Sequence, residues 1–577
     1  MRNPLKTIEF IFTVLFISFF ISSPLKSQDP KQSLINVGNI TSWVSDEGFH
    51  KWIIAGSWNG AFPKDLSVGV IFSEGILWGG LVNDGQSKEV RVSGNHYVTG
   101  CAPNTRLYRV RTDYYTADLT EDAASFFNKD QSEITEDEIQ QVKDQYQKDW
   151  KEWPGNNGAP YYDVDGDGNY DPKIDYPGVP GALQTIWINY NDSLSDSSFS
   201  TAPLGLEIQE TYWAFAKSGV LGNMIYKRVD LIYNGTSTSS SESKIDSMYI
   251  CQWSDPDIGA GTDDYAGCDT SLNLGYVYNS DAIDDIYSYL NISPPAVGYS
   301  FLQGVSKYSG DLSDSAIFNF KWRKGYKYTN LKSMSSFTFS TPSWLDVDYS
   351  DYYLSMYNMM RGYLSHYPGT DTYSSTIADY YSGGVFLLTG DPVTNTGKLD
   401  PWVTDKGIWV INGPFSLNLG DTAEVVTVLV VGQGEDNLSS VTNLKYNVKG
   451  AKIIFDYYVE EMTTGTLQVD VPEHPPVNDI PDNYTLSQNY PNPFNSTTTI
   501  RYGLVNSAFV SLILYDVLGR EVKRLVNEQQ QSGNYEVSIN SNELASGVYF
   551  YRIIFDNSDN KLMFDGLNKT MKMILLK

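Results

Sequence analysis

The chain has 577 residues, of which 41% are hydrophobic and 14% aromatic, which excludes an intrinsically disordered protein and leaves room for several cores. Its formal net charge is −28. A field of that sign excludes nucleic acid as a partner and favours solubility and cation binding.

The charge is unevenly placed. Residues 483–577 hold nine Lys/Arg against eight Asp/Glu, and residues 1–27 carry a small positive excess, so the body between them carries about −31. The 42 tyrosines, with abundant Gly, Ser, Asn and Asp, suit β-rich extracellular domains with long ordered loops.

Residues 1–27 read as a secretory signal peptide: Arg2 and Lys6, an apolar run from Ile8 to Ile21, then a small-residue exit near Ser27. The run is short for a membrane span and is weakened by Ser18, Ser22 and Ser23. No span is expected after cleavage.

Residues 28–118 form an N-terminal β region. Trp52 to Ala55, Leu66 to Phe72, Gly75 to Leu81, Glu89 to Val92 and Leu107 to Thr112 are short apolar or alternating runs between turn signals. Residues 119–200 change period. Thr135 and Glu138 make a capping box, and Ile139, Val142, Tyr146, Trp150 and Trp153 follow at helical spacing until Pro154-Gly155. This helix is expected to cover a sheet.

The sharpest local motif lies in the same region. Asp163, Asp165 and Asp167 are spaced by two, so their carboxylates converge when the chain wraps a small ion; Gly168 stands at the sixth position, where the wrap turns sharply. Asn169 offers its backbone carbonyl and Asp171 stands at the ninth position. The loop resembles the calcium loops of EF-hands, dockerins and thrombospondin type 3 repeats. It departs at the twelfth position, which is Ile174, with Asp175 one residue later as the substitute acid. The resemblance implies structural Ca²⁺ held by Asp163, Asp165, Asp167, Asn169, Asp171 and Asp175. A solvated acidic turn is the alternative.

Residues 201–470 form a β-rich body. Leu206 to Ala216, Met224 to Tyr233 and Lys244 to Trp253 read as strands, with a Ser-rich loop from Gly235 to Ser243; Trp409 to Asn412, Phe415 to Leu419 and Glu424 to Val431 close the β part. A helix from about Leu438 to Tyr458 ends it. The Tyr- and Gly-rich stretch from Leu272 to Gly390 gives no clear period. Asp255, Asp257, Asp263, Asp264 and Asp269 form a second, weaker candidate cation cluster. It is equally readable as an acidic surface loop tied by a Cys251–Cys268 bridge, which would leave Cys101 over; three buried thiols are the other reading.

Catalytic signals are thin. His50, His96, His366 and His474 are isolated, and GxSxG, HExxH and P-loop patterns are absent. Paired carboxylates would suffice for a glycosidase, and the 13 tryptophans would suit a sugar surface as well as a core.

Residues 471–482 hold four prolines and read as a linker. After them Tyr490-Pro491-Asn492-Pro493-Phe494-Asn495 opens residues 483–577. Short β-like runs follow, among them Gly547-Val548-Tyr549, and Met571-Lys572-Met573-Ile574-Leu575-Leu576-Lys577 closes them. This segment resembles the type A C-terminal sorting domain of type IX secretion cargo. That resemblance implies export across a Gram-negative outer membrane, engagement of the type IX machinery, and release or attachment to surface polysaccharide. The body, through Pro203 to Glu207, Trp253 to Asp257 and Gly267 to Asp269, is also similar to a group of uncharacterised secreted proteins that carry such a tail.

The expected architecture is mainly β: a multidomain β-sandwich-like body with a few helices and a small immunoglobulin-like C-terminal sandwich. The expected role is a secreted or cell-surface structural, adhesive or binding protein. A carbohydrate-active or other hydrolase using carboxylates is the alternative.

Overall fold

The computed structural model describes residues 31–50, 59–66, 68–85, 88–96, 100–193, 201–215, 219–340, 352–362, 385–467, 484–504, 508–517, 519–531, 533–541, 544–556 and 568–576. The expected signal peptide, the Trp52 to Ala55 strand, His366, His474 and the Pro-rich linker lie outside them. The chain divides into two compact units, Met1–Val471 and Pro472–Lys577. Five helices are described: α1 Thr120–Phe127, α2 Glu136–Lys151, α3 Asp285–Tyr289, α4 Tyr352–Met360 and α5 Asn437–Thr464.

Two large antiparallel sheets dominate the first unit, beside a four-stranded and two two-stranded ones. In the ten-stranded sheet, Gln184–Asn191, Leu206–Ala214, Met224–Tyr233, Thr422–Gly432 and Ala296–Tyr308 lie side by side in that order. The six-stranded sheet centres on Lys244–Asp255, flanked by Ser73–Asn83 and Gly407–Asn418. Strands from the region before residue 118 therefore pair with strands from beyond residue 240.

The inner faces meet in one core. Ile186, Ile188, Ile208, Val229 and Leu231 come from the larger sheet and Trp78, Val82, Ile245, Ile250 and Val410 from the smaller. The outer faces are also apolar, which is why these strands run hydrophobic without alternating. On the larger sheet Trp213, Tyr226, Val428 and Val430 receive Val441, Leu444, Val448, Ala451 and Phe455 of α5, whose spacing of three and four residues makes one stripe. On the smaller sheet Leu77, Cys251, Trp253, Trp409 and Ile411 receive Met356 and Met360 of α4. The result is a helix–sheet–sheet–helix stack.

The capping box at α2 is present: Glu138 N–H donates to Thr135 Oγ1 at 3.3 Å and Thr135 N–H donates to Glu138 Oε2 at 3.0 Å. Val142, Tyr146 and Trp150 are buried against α1 and Tyr114. α5, capped by Asp436, begins at Asn437, one residue before the expected helix start, and runs six residues past its expected end.

The second unit is a small β-sandwich pattern of a three-stranded and a four-stranded sheet, the latter ending in Asn568–Leu575. Leu512, Leu514, Tyr551, Ile553 and Met573 lie in its core with Phe494.

Candidate metal centres and the sorting tail

The loop after α2 is anchored before it turns. Trp150 Nε1 donates to the carbonyl of Pro172 at 3.3 Å, and Tyr170 Oη donates back to the carbonyl of Trp150 at 2.6 Å. Within the loop Asp163 accepts N–H groups from Gly166 at 2.8 Å and Gly168 at 3.0 Å. Both glycines have positive φ, 73° and 76°, which their missing Cβ permits.

One carboxylate oxygen each from Asp163, Asp165 and Asp175 lie within 4.8 Å of one another. Asp175 is buried and accepts N–H groups from Val164 at 2.9 Å and Asp171 at 2.8 Å. Asp171 to Asp175 forms one helical turn, with Asp175 N–H on the Asp171 carbonyl at 2.7 Å, and this turn carries the thirteenth-position acid back to the loop. Asp167 and Asp171 instead accept N–H groups from Asn169 and Lys173 and are outside the converging trio, and Asn169 donates its own side chain to the Asp167 carbonyl. The donor set fits a hard, oxygen-seeking cation, since a carboxylate oxygen that accepts one N–H keeps a lone pair for an ion.

A second trio joins Asp255 and Asp257 to Asp405, again with ligand atoms within 4.8 Å. Asp405 precedes the Gly407–Asn418 strand and carried no signal in the sequence. Burial first, then the charge of Asp405, lifts Asp257 to about 7. The other three acids of the sequence cluster go elsewhere. Asp264 is fully buried, with Oδ2 accepting from Ile258 N–H at 3.1 Å, and burial pushes its carboxyl well up. Asp263 is raised by burial and by Asp284. Asp269 pairs with Lys445 of α5 at 3.4 Å.

A pair of acids sits on the α5-facing side of the larger sheet. Asp230 and Glu424 are direct cross-strand partners, and burial raises both carboxyls above their usual range. Arg228 Nη2 lies 3.1 Å from Asp230, and Gln303 and the Asn319 N–H donate to Glu424. Both acids are buried, and burial followed by Asp230 lifts Glu424 to about 7.

The bridge between Cys251 and Cys268 does not form; Cys101, Cys251 and Cys268 are free and buried. Cys251 lies under α4 while Cys268 lies in the inter-sheet core, on different faces of different sheets. His50 is buried, with Nδ1 accepting the Ser45 N–H at 3.0 Å, so its ring proton sits on Nε2, 3.2 Å from Glu210. His96 packs at a tilt against Trp253, ring centroids 4.2 Å apart, and burial lowers it to about 3. Six tryptophans, including Trp78, Trp213 and Trp409, are fully buried and serve as core.

In the tail, Phe494 N–H donates to the carbonyl of Ile574 and Leu576 N–H donates to the carbonyl of Phe494, both at 2.9 Å. Tyr551 Oη donates to the carbonyl of Ser487 and accepts the Asn489 N–H, both at 2.8 Å. The Pro-Asn-Pro-Phe turn is thereby tied to the lysine-bearing final strand.

Residues 488–563 match the secretion system C-terminal sorting domain. The protein is thus type IX cargo, exported from a Gram-negative cell to its surface or beyond, and its tail is the part that engages the type IX machinery. No curated protein matches the sequence. Among solved structures, a polysaccharide lyase aligns at 7% identity and a TM-score of 0.23, over 95% of this chain and 47% of that one, so the chain spans about half its length. Dimeric latent PorU from Porphyromonas gingivalis aligns at 10% identity and 0.14, over 64% and 26%. CopC from Methylosinus trichosporium OB3b aligns at 16% identity and 0.12, over 16% and 93%. Likenesses at these TM-scores carry no argument. No described helix is long and apolar enough to cross a membrane.

Proposed function

We propose that the body is a non-enzymatic structural, adhesive or binding module that works outside the cell and is stabilised by calcium at Asp163, Asp165 and Asp175. The observation that carries this reading is the spacing of its acids. Among the described residues, the two trios of acids that converge, Asp163 with Asp165 and Asp175 and Asp255 with Asp257 and Asp405, do so around ion-sized gaps, while the cross-strand pair Asp230 and Glu424 is buried. Released, or attached to surface polysaccharide, the body acts where calcium is plentiful. An ion that binds only the folded state stabilises it by about 2.7 kcal/mol at a hundred times its dissociation constant.

Thermal unfolding of the purified protein with calcium and with chelator tests this. The expected result is a higher melting temperature in calcium, lost in Asp165→Ala. No shift at millimolar calcium would return the loop to a solvated turn.

A further inference from the structure

We propose that the hairpin around Trp322 binds acidic polysaccharide through Lys321, Arg323, Lys324, Lys327 and the exposed Trp322 ring. This rests on the reading of the body as an extracellular binding module and names the chemistry of its ligand.

The first observation is a reversal of charge. In a chain of net charge −28, the stretch from Ser315 to Leu345 contains five Lys/Arg and no acid. Four of those cations fall on the strands Lys321–Lys324 and Tyr326–Tyr328. Elsewhere about half of the described cations are in ion pairs, as in Arg91–Asp84, Arg111–Asp122, Lys307–Asp421 and Lys406–Asp400. Lys321, Arg323, Lys324 and Lys327 form no ion pair among the described residues, and Asp311, which feels Lys327, stays beyond ion-pair distance. Clustered like charges repel, so the fold bears a cost that an anionic partner removes.

The second observation is that the hairpin is rigid. Phe318 pairs with Lys321 across the two-residue turn Asn319-Phe320, whose φ values are +49° and +60°. Such a turn favours Asn then Gly; Phe320 occupies the second place because its ring is buried against Trp213 and Tyr458, at 5.4 and 5.7 Å. The strand is also tied to α5 by Trp322 N–H donating to Thr463 Oγ1 at 2.9 Å. Charged side chains guard edge strands against aggregation, but that purpose does not call for an exposed indole among them.

Trp322 is 45% exposed and is held by an edge contact with Tyr328 at 6.3 Å. Its exposed part is apolar ring surface of the kind that stacks on a sugar, while the body around it, at about −31, repels a long, densely charged polymer such as DNA. A uronate-bearing chain has sparser charge and apolar sugar faces, which match separated cations beside one ring.

Affinity electrophoresis in native gels containing hyaluronan, with dextran as the neutral control, tests the proposal on the purified protein. Hyaluronan is expected to retard the protein and dextran not. The double variant Lys321→Gln/Lys324→Gln should weaken retardation about tenfold, and Trp322→Ala should weaken it too, which simple ion exchange would not show. Lys88→Gln, an exposed lysine outside the hairpin that pairs with Asp246, should leave it unchanged. Equal melting temperatures establish that each variant folds. Absence of retardation, an equal loss in Lys88→Gln, or hairpin-dependent binding only to anionic phospholipid vesicles or DNA would overturn it. Those outcomes leave the calcium shift and export intact, so the two readings fail separately.

Discussion

Asn492 accepts a hydrogen bond from the backbone N–H of Ile574 at 2.9 Å, joining the first turn of the tail to its last strand. Phe494, two residues on, is buried in the same core. Phe494→Ala is expected to cost about 3–5 kcal/mol of tail stability, and Asn492→Ala about 1 kcal/mol. Fractionation of cells and medium should show less of the Phe494→Ala protein exported, with Asn492→Ala between it and the native chain. Normal export of Phe494→Ala would separate recognition from this packing.

Asp165 and Asp175 differ in a way that isolates the ion. Asp175 is buried and holds two backbone N–H groups, so Asp175→Ala should cost about 2–4 kcal/mol even in chelator. Asp165 is exposed, and Asp165→Ala should change stability in chelator by no more than about 0.5 kcal/mol. Only in calcium should both variants melt below the native chain.

Acid should stabilise the chelated protein before it destabilises it. Glu424 is raised from 4.5 to about 7, so the folded state binds more protons than the unfolded state between those values. Its contribution is complete below 4.5 and is lost as pH rises through about 7. Glu210, lowered to about 2 with His50 as the first of the interactions that hold it down against burial, runs the other way: its contribution is present above 4.5 and lost as pH falls through about 2. Melting temperature in chelator should therefore be highest near pH 5 and fall by a few degrees towards pH 7.5. Glu424→Gln should lessen that fall without abolishing it, because Asp257, also raised to about 7, adds to it and His96, lowered to about 3, opposes it below pH 6.5; an unchanged slope would show that Glu424 does not contribute.

Gly432 lies where α5 presses on its sheet. A Cβ there would meet Leu444 N at 2.0 Å and its Cα at 2.4 Å. Gly432→Ala must push the helix away from Val428 and Val430, a loss of about 2–4 kcal/mol. Limited proteolysis should then cut within α5 before the sheets are attacked.

The three thiols are expected to resist a thiol reagent in native buffer and to react fully in denaturant without reductant. Burial raises all three well above the usual thiol range. Detection of only one reactive thiol in denaturant would reinstate the bridge.

Where residues act locally, the sequence was informative. Thr135 and Glu138 announced α2 because a capping box needs only four residues, and Asp163 to Gly168 announced a turn because the spacing itself sets the convergence. Asp405 could not be found that way: it reaches Asp255 and Asp257 only because Gly407–Asn418 pairs with Lys244–Asp255. Leu274–Asn279 and Ala296–Tyr308 gave no period because both of their faces are buried, which removes the alternation that marks a half-exposed strand. The Cys251–Cys268 pairing failed for a related reason, since proximity along the chain does not say which face of which sheet a residue takes.

The interleaving of early and late strands bears on how this body is made. Ser73 pairs with Asp255 and Met224 with Val430, so neither sheet is complete until the chain has been synthesised almost to α5. Topologies dominated by such distant contacts fold slowly, in milliseconds to seconds. A fragment ending before Thr422 would expose Met224–Tyr233 as a long apolar edge, a template for aggregation. The newly made protein must therefore stay unsettled until its last strands arrive, and a chain shortened from the C-terminal side should stop no earlier than Thr464.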